Sequence, residues 1–468
     1  MLREIIIKEM RDQLLSLRLM LSFLLVLLLM VANALLFQAG NKQKLADYSR
    51  DVSLNLAALA RRASSGFPLF QAFSFSDQLI YRRPNPLGFV AEGHDKDLPN
   101  VFQVNAFRLR APEFNLRGNP LLWRFDNLDW AFIVTVLLSF AAIVLVYDGI
   151  NGEKQRGTLR LMMSQPVSRA TILLGKYFSA AIVLIIPLMA GILLDMLILG
   201  LGGSVQFEAG FVWRLTISFV LSVIYISLFV LLGLFLSARS KTPVISLVSG
   251  LLIWVFLVIV IPAGGNLTAR GFVRLPTEDR VQEEAQRAWG EAVENYNQRH
   301  PHPDNWIMSG RWSPGEPLLR AFEADQAWGR VFQAYQDSKI SQIKLGLKIA
   351  AFSPAALLTE TLERTVESGI PHYENFLKSA RRYQIELASY LDSKFPLDKT
   401  YPLKRDQATD RVLGGMQVDF ASIPKFEDRP APASEMAAPL LQNAAILTLI
   451  NLILFTAAFV SFLRYDVR

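Results

Sequence analysis

Six stretches of this chain contain no Asp, Glu, Lys or Arg: residues 19–41, 130–147, 177–194, 215–238, 242–269 and 436–463. A helix needs about 20 apolar residues to cross the hydrocarbon core of a bilayer. Each stretch reaches or approaches that length, so the sequence predicts six membrane-spanning segments. Inside lipid every backbone N–H and C=O must be satisfied internally, which leaves helices or closed barrels. Nothing here alternates with the period of two that a barrel strand requires. The expected fold is therefore all-α and polytopic, with spans at 19–41, 129–150, 171–201, 213–238, 243–263 and 439–463.

The composition agrees. Of 468 residues, 52% are hydrophobic and 19% charged, against about 25% charged in ordinary soluble proteins. The absence of Cys excludes disulfide frameworks, Cys-based zinc sites and thiol catalysis. The net charge of +7 has a location. The N-terminal segment, the links after spans two and four, and the C-terminus hold thirteen basic and six acidic residues, so they carry the whole excess. Short basic segments stay on the cytoplasmic side. This predicts both termini inside and makes nucleic-acid binding a poor explanation of the charge. Trp123, Trp130 and Trp213 fall at the expected outer ends of spans, where an aromatic belt lies. The basic start and following apolar run have the look of a signal peptide. The leading segment mixes acids with bases and is amphipathic, so 1–18 is read as a retained surface helix.

Two long segments face the exterior. Residues 42–128 open with a helical stretch, Lys44 to Arg62, then turn rich in Pro, Gly and aromatics, a pattern of loops with short strands. Residues 264–438 are expected to form a mostly helical domain, long enough to hold its own core. Helical composition covers 277–298, and one long helix is expected over 316–350. A fresh start follows at Ser353-Pro354, with Ser as N-cap and Pro at the first helical position. A further helix spans about 372–394, and a Pro-rich strap, 395–438, returns to the membrane. Trp289, Trp306, Trp312 and Trp328 are read as packing residues of this domain. His300 and His302 lack a third ligand in sight and are read as solvated loop residues.

The most informative stretch is 147–176. A surface loop, 151–170, leaves span two through Glu153, Arg156 and Gly157. Thr158 caps a short helix bearing Leu159, Leu161, Met162 and Met163, and Pro166 ends it. Ser168 caps the next helix, which rises through Lys176 into the membrane. A surface helix with exposed Leu and Met needs a cover, either the membrane interface or the groove of a partner.

In this loop the chain resembles the ABC-2-type permease family, the membrane subunits of one class of ABC exporters. The matching positions are Glu153, Arg156, Gly157, Thr158, Leu159, Ser164, Pro166, Val167, Ser168, Arg169 and Lys176. The N-terminal helix with Lys8-Glu9-Met10-Arg11 and the count of six spans also match. The segments Pro84 to Pro99 and Asn119-Pro120 resemble a subgroup with enlarged external loops, which includes permeases of nitrous-oxide-reductase maturation and gliding motility. The large insertion 264–438 departs from simpler members, so substrate does not carry over. The resemblance implies two permeases, the same chain or a paralogue, docked on a cytoplasmic ABC ATPase dimer in a prokaryotic plasma membrane. It places ATPase coupling at Glu153, Arg156, Gly157, Thr158, Leu159, Pro166 and Arg169. It puts ATP and Mg on the partner, with no cofactor or metal on this chain, and leaves room for a periplasmic or lipoprotein partner. The simpler alternative is that Arg156, Arg160 and Arg169 attract anionic headgroups, at about 1 kcal/mol each.

The chain has no Gly-x-x-x-x-Gly-Lys-Ser/Thr loop, no His-Glu-x-x-His and no Gly-x-Ser-x-Gly, so it is not expected to hydrolyse ATP or act as a protease. Asp195 is the one ionisable residue well inside an apolar stretch. Such residues are functional candidates by default. It either lines the pathway, pairs with a basic group on another helix, or sits wetted at the outer boundary. The rival function is a non-transporting receptor or scaffold whose external domain binds a ligand. An ion-coupled carrier has little support, because no inverted repeat is evident.

Overall fold

The computed structural model describes residues 2–64, 77–93, 95, 98–106, 109–110, 128–164, 166–203, 205, 207–300, 311–312, 315–394, 401–402, 405–406, 411–412, 419–429 and 433–464. The chain begins with the amphipathic helix α1 (Leu2–Leu14). It breaks at Leu15 and Ser16, where the Ser16 hydroxyl accepts from the Leu19 N–H and starts the next helix. That helix, α2 (Leu17–Ser64), runs unbroken well past the apolar stretch that defines the first span. Residues 41–64 contain neither Gly nor Pro, so nothing stops the helix at the membrane surface. It continues as a stalk, and Asn55 on it donates to the Leu79 carbonyl at 2.8 Å. Leu79 belongs to a small antiparallel sheet of β1 (Gln78–Tyr81), β2 (Val101–Val104) and β3 (Leu109–Arg110), in the order β1-β2-β3.

The second span, α3, runs from Trp130 to Gln155. Asp129 caps it by accepting from the Phe132 N–H at 2.8 Å. A π-helical stretch, Ile133–Leu138, widens it near its start. There follow the six-residue helix α4 (Thr158–Met163), then α5 (Arg169–Leu201), α6 (Ala209–Arg239) and a fifth span, α7, from Pro243 to Phe272. The Ser168 hydroxyl caps α5, accepting from the Thr171 N–H at 3.1 Å. Thr242 caps α7, with Pro243 at its first position. A second π-helical stretch, Phe256–Val260, interrupts α7.

The large insertion holds α8 (Glu278–Arg299), α9 (Gly315–Ala350), α10 (Pro354–Val366) and α11 (Gly369–Lys394). Short two-residue strands lie beyond α11, and α12 (Ala433–Leu463) returns as the sixth span. Helices α8 and α9 pair as a hairpin. The α7–α9 crossing is close: a Cβ on Gly265 would lie 2.7 Å from the Gly346 carbonyl oxygen. Trp328 is buried and stacks on Phe332, and Trp289 donates to Asp325 at 3.2 Å, so both pack within the domain. Trp306, His302 and the side chain of Trp312 lie outside the described residues. No metal-ligating cluster occurs among the described residues.

Helix α6 is the centre of the bundle and is enclosed over most of its length, while α7 and α12 turn broad apolar faces outward. Buried hydrogen bonds bind the spans, in lipid worth about 0.6–2 kcal/mol each. Tyr225 on α6 donates to the Thr135 carbonyl in the α3 π stretch at 3.0 Å, and Trp254 on α7 donates to Ser139 at 2.8 Å. Ser227 on α6 joins Tyr177 of α5 at 2.7 Å to Asn451 of α12 at 2.8 Å. Tyr225 and Trp254 are therefore packing residues that also satisfy polar atoms.

Helix α10 is the unexpected element. It follows the insertion's long helix, yet Ala355, Leu357, Leu358, Leu362 and Val366 belong to the same apolar core as the membrane helices. It wedges between α6 and α12 at the end of the bundle nearest the domain. We call that end the domain face and the end with the termini the basic face.

Candidate functional site

The basic face is assembled around one buried cation. Lys176 lies one turn above the start of the apolar part of α5 and is 2% exposed. Burying an ammonium costs several kcal/mol unless opposite charges accompany it. Here two do. Its Nζ is 3.0 Å from Oε1 of Glu9 on α1 and 2.8 Å from Oε1 of Glu153 at the end of α3. Three segments distant in sequence are thereby joined. The α1–α5 contact is possible because residue 175 is glycine: a Cβ there would lie 2.5 Å from the Ile5 side chain.

The loop after α3 is tied from a second side. The Ser237 hydroxyl at the end of α6 accepts from the Ile150 N–H at 3.0 Å and donates to Asn151 Oδ1 at 3.2 Å. Arg156 then precedes Gly157, whose φ of +76° is the left-handed conformation that favours glycine. Gly157 is thus the N-cap of α4, and Thr158, read from the sequence as the cap, is its first helical residue. The Thr158 hydroxyl instead donates to the Glu153 carbonyl at 3.2 Å.

The coupling candidates divide by where they point. Leu159 is 0% exposed and anchors α4 in the bundle core, whereas Leu161, two residues on, is 72% exposed. Arg156, Gly157, Thr158, Arg160 and Pro166 are also exposed, while Glu153 turns inward to Lys176. Arg169 turns inward too. Its guanidinium donates to the Phe462 carbonyl at 2.8 Å and lies over the Phe462 ring, capping the end of α12. The sequence pattern names the loop residues but not this division. Nor does it show the Glu9–Lys176–Glu153 cluster, for which the one sequence signal is a lysine among apolar residues 172–175.

Asp195 is fully buried, and neither carboxylate oxygen has a hydrogen-bond partner among the described residues. On either side of it, Gly191 abuts Met30 and Gly202 abuts Gln38, both on α2. Asp195 therefore lies in the α2–α5 seam and is not wetted at a boundary; no basic group pairs with it among the described residues.

At the domain face several neutral bonds hold α10. The Ser353 hydroxyl accepts from the N–H groups of Ala355 and Ala356 and donates to the Leu257 carbonyl in the α7 π stretch. Asn443 on α12 donates to Thr361 at 3.1 Å. At its far end Asn85 donates to the carbonyls of Val366 and Glu367, and Arg214 on α6 pairs with Glu367 at 2.9 Å. Nearby, Asp428 accepts from the Arg83 N–H at 3.2 Å. Burial pushes this carboxyl above its ordinary range; the hydrogen bond and neighbouring Arg82, Arg83 and His372 oppose that shift without cancelling it.

A model of the family described as ABC-2 family transporter protein matches residues 3–467. Over 61 residues, 13% of the chain, the sequence is 38% identical to the "Probable ABC transporter permease protein NosY" of Stutzerimonas stutzeri. Over 59 residues it is 36% identical to a protein of the same description from Pseudomonas aeruginosa. The matched segment spans 22% of the length of each of these relatives.

Proposed function

Because this chain belongs to the ABC-2 transporter family, we propose that it is the permease subunit of an ATP-driven exporter, working with a separate ATPase. The basic face is then cytoplasmic, and the membrane is a prokaryotic plasma membrane. The ATPase dimer binds and hydrolyses ATP with Mg; this chain contributes no phosphate-binding loop. The observation that carries the reading is α4, a short helix anchored by Leu159 and presenting Leu161 outward, in the loop with the family's sequence pattern. An exposed leucine rimmed by Arg156, Thr158 and Arg160 suits the groove of a protein partner.

The contacts above describe how force would travel. A displacement of α4 moves the end of α3. The Glu153–Lys176–Glu9 cluster passes it to α5 and α1. Ser237 passes it to α6, and Arg169, at the start of α5, passes it to α12. Nucleotide binding shifts this equilibrium only by the difference in its affinity for the two states. At the domain face α10 closes the bundle, and its release opens an exit between α6 and α12. Asp195 meets the pathway when α2 and α5 part. The outward apolar faces of α2, α7 and α12 leave room for lipid and for a second permease, identical or paralogous. The substrate is a lipid, peptide or other amphipathic molecule, and the external domain is where a periplasmic or lipoprotein partner would dock.

The test is isolation of the full chain from its host in mild detergent, with identification of co-purifying proteins. A stoichiometric ATPase is expected, and Leu161→Asp should lose it while leaving the thermal midpoint of the permease unchanged. Recovery of the chain alone, under conditions that keep a control ABC complex intact, would sink the exporter reading.

A further inference from the structure

At the junction of the bundle and the external domain lies a cavity of about 590 Å³, within the range of small-molecule sites. Its walls come from parts of the chain far apart in sequence: α2, the segment 83–87, the α5–α6 link, the start of α12, and the α10–α11 corner with Asp428. The lining includes the apolar Leu45, Leu87, Val205, Phe211 and Met436. The lining is also charged, and most of its charges are already committed. Arg214 pairs with Glu367, Lys378 with Glu435, and Glu374 with Lys344. Two are not. Glu208 and the Arg83 guanidinium, both exposed, have no ion-pair or hydrogen-bond partner among the described residues, although Arg83 feels the fields of Asp428 and Tyr48.

Height in the membrane narrows the ligand. Gly203 and Val205 follow the last residues of span α5, and Phe211 lies in the first turn of span α6. The neighbouring Leu201 and Trp213 are exposed apolar side chains at the same level, where an aromatic ring marks the headgroup region. An uncommitted cation and an uncommitted anion share one cavity with apolar side chains at that depth. Free charges of both signs match a ligand carrying both, with an apolar tail.

We propose that this cavity binds the headgroup of a zwitterionic aminophospholipid from the leaflet on the domain face. Arg83 takes the phosphate, Glu208 takes the ammonium, and the acyl chains leave past the apolar lining residues into the bilayer. The site needs no ATPase, so it stands or falls separately from the exporter reading.

Titration calorimetry on the purified full chain in detergent tests it, with dioctanoyl-phosphatidylethanolamine, dioctanoyl-phosphatidylglycerol and free phosphoethanolamine as probes. Saturable binding of the first is expected, at least tenfold tighter than either of the others. A Cβ on Gly210, which lines the cavity, meets nothing within 4 Å. A large side chain is therefore tolerated at 210 beside the cavity, and Gly210→Trp should weaken binding at least tenfold. Arg83→Gln should weaken both lipids several-fold, and Glu208→Gln should erase the preference for the amine. These last two change exposed side chains and carry the test if Gly210→Trp lowers the thermal midpoint. Equal binding of the glycerol lipid would overturn the proposal. Equal binding of free phosphoethanolamine would also overturn it, in favour of a soluble zwitterion. So would unchanged binding in both charge variants.

Discussion

The two ends of the bundle are held by different physics. At the basic face one buried ammonium and two carboxylates join α1, α3 and α5. At the domain face α10 itself is held by hydroxyl and amide hydrogen bonds and by Arg214–Glu367, a pair only partly withdrawn from solvent, while the buried Arg82–Asp95 pair sits just beyond its end, where Asp95 accepts from the Gly369 N–H. A buried charge cluster resists partial opening, because separating one member leaves another uncompensated. Neutral bonds and screened pairs, by contrast, come apart one at a time, each at about 1 kcal/mol. The contrast implies that the basic face moves as a unit, while at the domain face the seat of α10 is the contact that gives first.

The contrast is broken most directly at Lys176. Lys176→Met leaves Glu9 and Glu153 facing each other in a buried site. Loss of one partner of a buried pair costs about 3–5 kcal/mol, so thermal unfolding in detergent should show a large drop. Adding Glu9→Gln and Glu153→Gln should recover most of it. A single variant as stable as the parent would mean that the cluster does not hold the basic face together.

Gly175→Ala is expected to come next. The new Cβ falls 2.5 Å from Ile5, and overpacking of this kind costs about 1–3 kcal/mol. Helix α1 should lift off α5 and become accessible to protease, and Ile5→Ala should restore protection in the double variant. Unchanged cleavage would show that α1 is not seated by this contact.

At the other end, Ser353→Ala removes a cap, which costs about 0.5–2 kcal/mol, and leaves the Leu257 carbonyl without its donor. Amide hydrogen exchange should quicken along α10 while α6 stays protected. Equal acceleration in both helices would mean that α10 and the bundle open together, and the proposed difference between the ends would fail.

How much of this was readable from the sequence follows from the range of each interaction. The spans were readable because lipid imposes one local rule on about 20 consecutive residues. Ser168 and the Ser353-Pro354 start were readable because caps act within one turn. The direction of Leu159 against Leu161 was not, since a six-residue helix gives too few turns to fix a face. Nor was Glu9–Lys176, whose members stand 167 positions apart with no local pattern between them. Helix α10 was predicted as a helix, but its place was hidden. Thr359, Glu360 and Arg364 give it the polar content of a soluble helix, and only the surrounding α6 and α12 bury most of the rest.

The smallest expected effect concerns pH at the domain face. Burial raises the Asp428 carboxyl above its ordinary 3.8. In the folded chain this group therefore holds its proton more tightly than in the unfolded chain. Between the two values the native state binds more protons, so stability falls as pH rises through that window. The sign is opposite to that of a carboxylate stabilised by an ion pair, whose contribution is lost as pH falls. Asp428→Asn keeps an oxygen to accept from the Arg83 N–H but cannot ionise. The thermal midpoint of the variant should gain on the parent as pH rises from about 4 toward neutrality, and the two should converge below the ordinary carboxylate range. Thermal scans of both proteins across that interval check it. A difference that widens toward low pH would mean that the Arg83 hydrogen bond and the surrounding cations outweigh burial, and Asp428 would then join Asp95 as an ion-stabilised carboxylate of the domain face.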